Sequence, residues 1–144
     1  MFLLKRNGES MKTFKTQLRV RYAETDAAEV VYYGSFFLYF EVGKIEMYRE
    51  IGIPYQWDIP IVDTYCKYLA PVYFDDLLEV HTNFADIKEK SFKIESKIFK
   101  IKEEGALVPV AEGYTTHVFI DKNRKAISMP KHYAEMFKRI EKEE

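Results

Sequence analysis

Cysteine is nearly missing from this chain: Cys66 is the only one in 144 residues. An intramolecular disulfide is therefore impossible, and a Cys-based zinc site is not expected. No apolar run approaches the roughly 20 residues that cross a bilayer, since the densest stretch, Val30 to Phe40, is broken by Gly34 and Ser35. Met1 to Leu4 is too short for the apolar part of an export signal, and Lys5 and Arg6 follow it instead of preceding it. A cytoplasmic protein with no membrane partner is the expectation. An excess of one charge is lacking too: 22 Lys and Arg stand against 23 Asp and Glu, a net charge of −1 that gives a polyanion no overall attraction. Nucleic acid is not an expected partner.

Apolar and aromatic residues, by contrast, are plentiful, at 47% and 16%, enough to fill the core of one ordinary domain. Residues 1–12 have no periodicity and Met11 offers a second possible start, so they read as a loose segment ahead of a single domain over 13–144. From Thr16 to Tyr22 the chain alternates, with Leu18 and Val20 on one face and Gln17, Arg19 and Arg21 on the other, as in a half-buried strand. The period breaks between Ala23 and Gly34. Ser35 then stands where a helix cap belongs, ahead of a helix over Phe36 to Ile51 that stops at Gly52 with Pro54 beyond.

The first two turns of that helix, Phe36-Phe37-Leu38-Tyr39-Phe40, leave no polar face, so the helix is expected to be buried. Phe36, Phe40, Gly43, Met47 and Ile51 share one stripe. A glycine in its middle costs about 1 kcal/mol relative to alanine, which points to close backbone approach at that point. Four strand-like runs follow, Val62 to Leu69, Leu77 to Ile87, Ser91 to Ile101 and Leu107 to Asp121, and Lys131 to Glu144 closes the chain as an amphipathic helix. One long buried helix and a mainly antiparallel sheet make an α+β fold with the sheet wrapped around the helix. Its sheet edges need cover, and pairing two copies edge to edge supplies it, so at least a homodimer is expected.

The chemistry-bearing stretch is Arg21-Tyr-Ala-Glu-Thr-Asp26-Ala-Ala-Glu-Val-Val-Tyr32-Tyr33-Gly34-Ser35, which joins the first strand to the helix. It sets a carboxylate ahead of a helix N-terminus, where unpaired N–H groups make a positive dipole end. Amides aimed at the oxygen of a thioester would stabilise developing charge there, while Asp26 attacks the carbon or deprotonates a water. For an arbitrary aspartate in such a segment, capping its own turn is the commoner role.

Arg-Tyr-x-Glu-Thr-Asp-Ala-x-x-Val-Val-Tyr, followed by an aromatic helix with Tyr39-Phe40-Glu41 and Glu46, resembles the hot-dog-fold acyl-CoA thioesterases of the 4-hydroxybenzoyl-CoA thioesterase and YbgC-like group. The likeness extends in element order to Leu69-Ala-Pro71, Asp75-Asp76-Leu-Leu-Glu-Val80 and the last long strand. It implies hydrolysis of an acyl- or aroyl-CoA to free acid and CoA, with no metal or other cofactor, by a homodimer or homotetramer. It assigns Asp26 as nucleophile or general base and the Tyr33 backbone N–H as the group that polarises the thioester carbonyl. Tyr22, Val31, Tyr32, Gly34 and Ser35 are then candidates for binding substrate, and Glu41 is the second acid the resemblance supports. YbgC-like members usually carry His at position 33 and Gly at 29, where this chain has Tyr33 and Glu29; the benzoyl-CoA branch also has Tyr. Ser35 replaces a frequent Asn.

Other readings stay open at this level. Tyr22 and Tyr32 could be core aromatics, and Glu41 a surface partner of Lys44 three residues on. His81, His117 and His132 form no ligand cluster by spacing. Lys88, Lys90, Lys93 and Lys97 could meet the phosphates of CoA or simply solvate a hairpin. A hot-dog hydratase or dehydratase would ordinarily use an Asp–His pair, and no His precedes residue 81. An acyl-CoA-binding module without turnover is the alternative from another class.

Overall fold

The computed structural model describes residues 11–54 and 59–142. In chain order it has β1 (Phe14–Arg19), a single 3₁₀ turn (Tyr22–Glu24), α1 (Ser35–Ile51), β2 (Ile61–Tyr68), β3 (Leu77–Ala85), β4 (Ser91–Ile101), β5 (Leu107–Val118) and α2 (Lys131–Lys142). The five strands form one antiparallel sheet in the order β1-β3-β4-β5-β2. The α+β arrangement expected from the sequence is the one found. The first strand starts earlier and stops at Arg19, β3 ends at Ala85 because Asp86 turns into a positive φ of 48°, and β5 stops at Val118. Residues 1–10 of the expected loose segment lie outside the described residues, while Met11 is buried in the core.

Helix α1 lies across one face of the sheet, against β1, β3 and β4. Strand β3 shows why: it alternates without a break, sending Leu78, Val80, Thr82 and Phe84 inward. The first half of α1 (Phe36, Tyr39, Phe40) packs with Val20, Val31, Leu78, Val80, Ile98 and Val110. The second half (Met47, Tyr48) packs with Phe84, Phe92, Phe119 and the apolar side of α2, where Tyr133, Met136, Phe137 and Ile140 are all buried. One helix thus carries two adjoining cores. Leu38 is the exception to the expected burial, at 53% exposed, because a single sheet covers only one side of the helix.

Between the two halves sits Gly43. A Cβ there would lie 2.4 Å from Thr82 Oγ1 and 2.8 Å from Val80 Cγ1, so helix backbone and β3 side chains are in direct contact. The helix ends at Gly52, whose φ of 88° makes the left-handed C-cap and sends its N–H back to the Tyr48 carbonyl.

The two sheet edges differ. β1 presents exposed Lys15, Gln17 and Arg19. β2 is exposed at every residue except Cys66, and the segment carries apolar side chains into solvent: Ile61, Val62, Tyr65, Tyr68 and Leu69. Such an edge invites another strand.

Gly43→Ala gains helix propensity but must push Val80 and Thr82 aside, so it is expected to lower stability by about 1–2 kcal/mol net. Urea unfolding of the purified variant measures it; equal or greater stability would mean that helix and sheet are not in contact there.

Candidate active site

The residues between β1 and α1 fold into a tight hairpin that runs straight into the helix. The Tyr32 N–H donates to the Glu24 carbonyl (2.9 Å), Thr25 bridges Val31, and the Asp26 N–H donates to the Val30 carbonyl (2.9 Å). At the tip, Asp26 Oδ1 accepts the Ala28 N–H at 2.8 Å, and Glu29 turns the chain with a φ of 67°. Asp26 therefore does cap its own turn, with one oxygen. Among the described residues its Oδ2 has no protein partner, and the residue is exposed. Glu29 occupies the left-handed region that suits the glycine usual at this position in YbgC-like sequences, so the turn is made without glycine at a cost of about 1–2 kcal/mol.

The hairpin is locked to the helix by Glu24, a residue to which the sequence motif gave no role. Its carboxylate is 5% exposed and accepts three groups: the Arg21 N–H (2.9 Å), the Arg21 guanidinium (2.7 Å) and the Tyr39 hydroxyl of α1 (3.0 Å). Its carbonyl also accepts the Ser35 hydroxyl at 3.2 Å. Burial pushes the Glu24 pKa up, but Arg21 and Tyr39 together outweigh it and hold the carboxyl below its ordinary range; burial and Glu24 push the Tyr39 phenol up in turn. The one sequence signal for this clamp was the Arg21-x-x-Glu24 spacing.

At the helix start, Gly34 is the cap and Ser35 the first helical residue, so the hydroxyl expected to cap the helix ties the hairpin instead. The Ser35, Phe36 and Phe37 N–H groups bond to the carbonyls of Tyr32, Tyr33 and Gly34. Among the described residues the N–H groups of Tyr33 and Gly34 find no acceptor. Two unpaired amides thus stand side by side just ahead of the helix. The Tyr33 carbonyl also accepts the Tyr68 hydroxyl of β2 at 2.9 Å.

Beside these amides lies a cleft of about 360 Å³, walled by Val30, Val31, Tyr33, Phe36, Tyr68, Leu69 and Val72 among others. Asp26 is not one of its walls but is hydrogen-bonded to Val30, which is. Phe36 and Tyr68 meet edge to face (5.1 Å between centroids). Burial, with Cys66 and Tyr33 nearby, pushes the Tyr68 phenol up to about 12, so it stays a hydrogen-bond donor at neutral pH.

The other expected site residues are distributed as follows. Val31 is buried beside the cleft. Tyr22 and Tyr32 are not core aromatics: they are 78% and 45% exposed, Tyr22 against Phe74 and Tyr32 against the ring of the exposed Tyr33. Glu41 does not join this group. Its carboxylate pairs with the buried Lys44 at 2.9 Å and lines a separate cavity with Phe37, Phe40, Ile61 and Thr64. His117 is buried flat against Phe92, with burial and Lys44 pushing it down to about 4. Lys88 and Lys93 both lie 3.8 Å from Asp86, as a solvated hairpin would have them.

Comparison with known proteins bears on the family and the fold. The family described as the thioesterase-like superfamily matches residues 20–137. A relative in Aquifex aeolicus, whose name places it provisionally among esterases, is 33% identical over 83% of this chain and 94% of its own. The 1,4-dihydroxy-2-naphthoyl-CoA hydrolase of Gloeothece citriformis is 32% identical over 71% of this chain and 75% of its own. The solved 4-hydroxybenzoyl CoA thioesterase from Pseudomonas sp. shares the fold, with a TM-score of 0.75 over 86% of this chain and 98% of that one, at 21% identity.

Glu24 contributes stability fully above its unfolded pKa, near 4.5, and loses it as pH falls through the lower folded value. Glu24→Gln is therefore expected to cost about 2 kcal/mol at pH 7 and to flatten the acid limb of stability against pH. Thermal unfolding between pH 3 and 7 reads both effects. With the hairpin, the two unpaired amides and the cleft in place, and with the family matched over residues 20–137, from just past β1 into α2, the chain belongs to the thioesterase-like superfamily, in its hot-dog fold.

Proposed function

We propose that this chain hydrolyses an acyl- or aroyl-CoA thioester with Asp26 as the catalytic carboxylate. The observation that carries the reading is the pair of unpaired amides, Tyr33 and Gly34, beside an apolar cleft and one hairpin away from Asp26. The acyl group enters the cleft between Phe36, Tyr68 and Val72, and the thioester oxygen takes the amides. Charge that develops on that oxygen is met by donors already in place, so little reorganisation opposes it. Asp26 then either attacks the carbon, giving a mixed anhydride that water cleaves, or takes a proton from the attacking water. Both routes break the C–S bond and release CoA as its thiolate, which leaves without help from a strong acid. Ser35 and Gly34 act by shaping the helix start, and the exposed rings of Tyr22 and Tyr32 flank the substrate's path.

The enzyme is a dimer, or a tetramer built from two such dimers, paired through β2. The apolar edge from Ile61 to Leu69 supports this, and so does the exposure of the Asp26 hairpin, which a second copy would shield from water. A cytoplasmic location fits a chain in which no described helix is long and apolar enough to cross a membrane.

Release of free thiol from a panel of alkyl- and aroyl-CoA thioesters tests the chemistry. Asp26→Asn keeps the shape of the turn and is expected to lower kcat by about 10³-fold. Full activity in that variant would remove Asp26 from the mechanism, and tight binding without thiol release by the unaltered protein would favour a binding module. For the assembly, light scattering of Val62→Asp should move the mass towards the 17.1 kDa monomer; an unchanged oligomer would place the interface elsewhere.

A further inference from the structure

The two amides at the helix start are not equally supported, and the difference lies in what holds the opposite end of each peptide unit. The Tyr33 N–H shares its peptide with the Tyr32 carbonyl, which accepts the Ser35 N–H at 2.8 Å; that unit is fixed by the helix itself. The Gly34 N–H shares its peptide with the Tyr33 carbonyl. There the helical bond is weak, since the Phe36 N–H lies 3.4 Å away, and the shorter bond, 2.9 Å, comes from the Tyr68 hydroxyl at the end of β2.

We infer that Tyr68 is a positioning residue for thioester hydrolysis: by binding the Tyr33 carbonyl it orients and polarises the Gly34 N–H as a second donor to the substrate oxygen. The inference rests on the proposed thioesterase reading of the same site. A donor on the carbonyl end of an amide draws electron density through the peptide and strengthens its N–H as a donor, and it also stops the plane from rocking. Tyr68 is well held for the task. Its ring packs edge to face on Phe36 in the second position of α1, and its strand pairs with β5 through Tyr68 opposite Ala111. Gly34 suits the recipient role, because a Cβ at that position would lie 2.9 Å from the Tyr32 ring and move either the ring or the amide. One amide comes from the helix and the other is set by the sheet, so the oxygen-binding corner is closed by two elements distant in sequence.

Tyr68→Phe removes only the hydroxyl and keeps the ring on Phe36. It is expected to lower kcat about tenfold while KM for the best thioester of the panel stays within about twofold, the pattern of an interaction felt chiefly in the transition state. A second measurement reads the bond itself. In Asp26→Asn, which holds uncleaved substrate, the infrared stretch of the bound thioester carbonyl is expected below its frequency in water, and adding Tyr68→Phe should return a substantial part of that shift. An unchanged kcat together with an unchanged stretch would overturn the inference while leaving Asp26 in place, as would a rise in KM alone, which would make the hydroxyl a substrate contact. Full activity in Asp26→Asn would instead bring down the reading of the site, and this inference with it.

Discussion

The architecture depends on the backbone of α1 resting on the side chains of β3 with no helix side chain between them. Gly43 makes that contact possible, and because it lies midway along the helix, it sets the depth of both halves at once. With the helix at that depth, Phe36, Tyr39 and Phe40 reach one core while Met47 and Tyr48 reach the other, and α2 closes the second. The same depth brings the start of α1 level with the end of β2, where Tyr68 meets both Phe36 and the Tyr33 carbonyl. A packing constraint on one residue thereby decides where the candidate site forms.

Around that point the structure combines a firm support with an exposed working group. Glu24 is buried and fully engaged, and its bonds to Arg21, Tyr39 and Ser35 join the hairpin to the helix from inside. Asp26, two residues on, is exposed and commits only one oxygen to its turn. A carboxylate with a satisfied neighbour beneath it is held without being consumed. The cost appears at Glu29, which accepts a left-handed backbone so that the turn closes.

Much of this was legible from sequence because it follows from period and punctuation. The period predicts a helix over Phe36 to Ile51, and the helix runs Ser35–Ile51; it predicts the strand Ser91–Ile101 to the residue; and the glycine in the helical stripe points to the close approach found at Gly43. What escaped depends on partners distant in sequence. The hydroxyl of Tyr68 acts on a residue 35 positions away, and Tyr39 reaches Glu24 across 15, so neither bond leaves a local trace. The exposure of Tyr22 and Tyr32 is not legible for a related reason: aromaticity signals apolar area, but not which side of a turn the ring leaves from. The pairing of Glu41 with Lys44 was visible at its i,i+3 spacing, whereas the burial of Lys44 was not.

On the proposed mechanism, the groups that bind the reacting oxygen belong to the main chain. The side chain of Tyr33 is 63% exposed and carries none of that duty. Its identity is thus free to drift, and with it the lining that greets different acyl groups, while the main-chain donors beneath stay as they are. A lineage built on this helix start could change its diet one residue at a time without ever passing through an inactive ancestor.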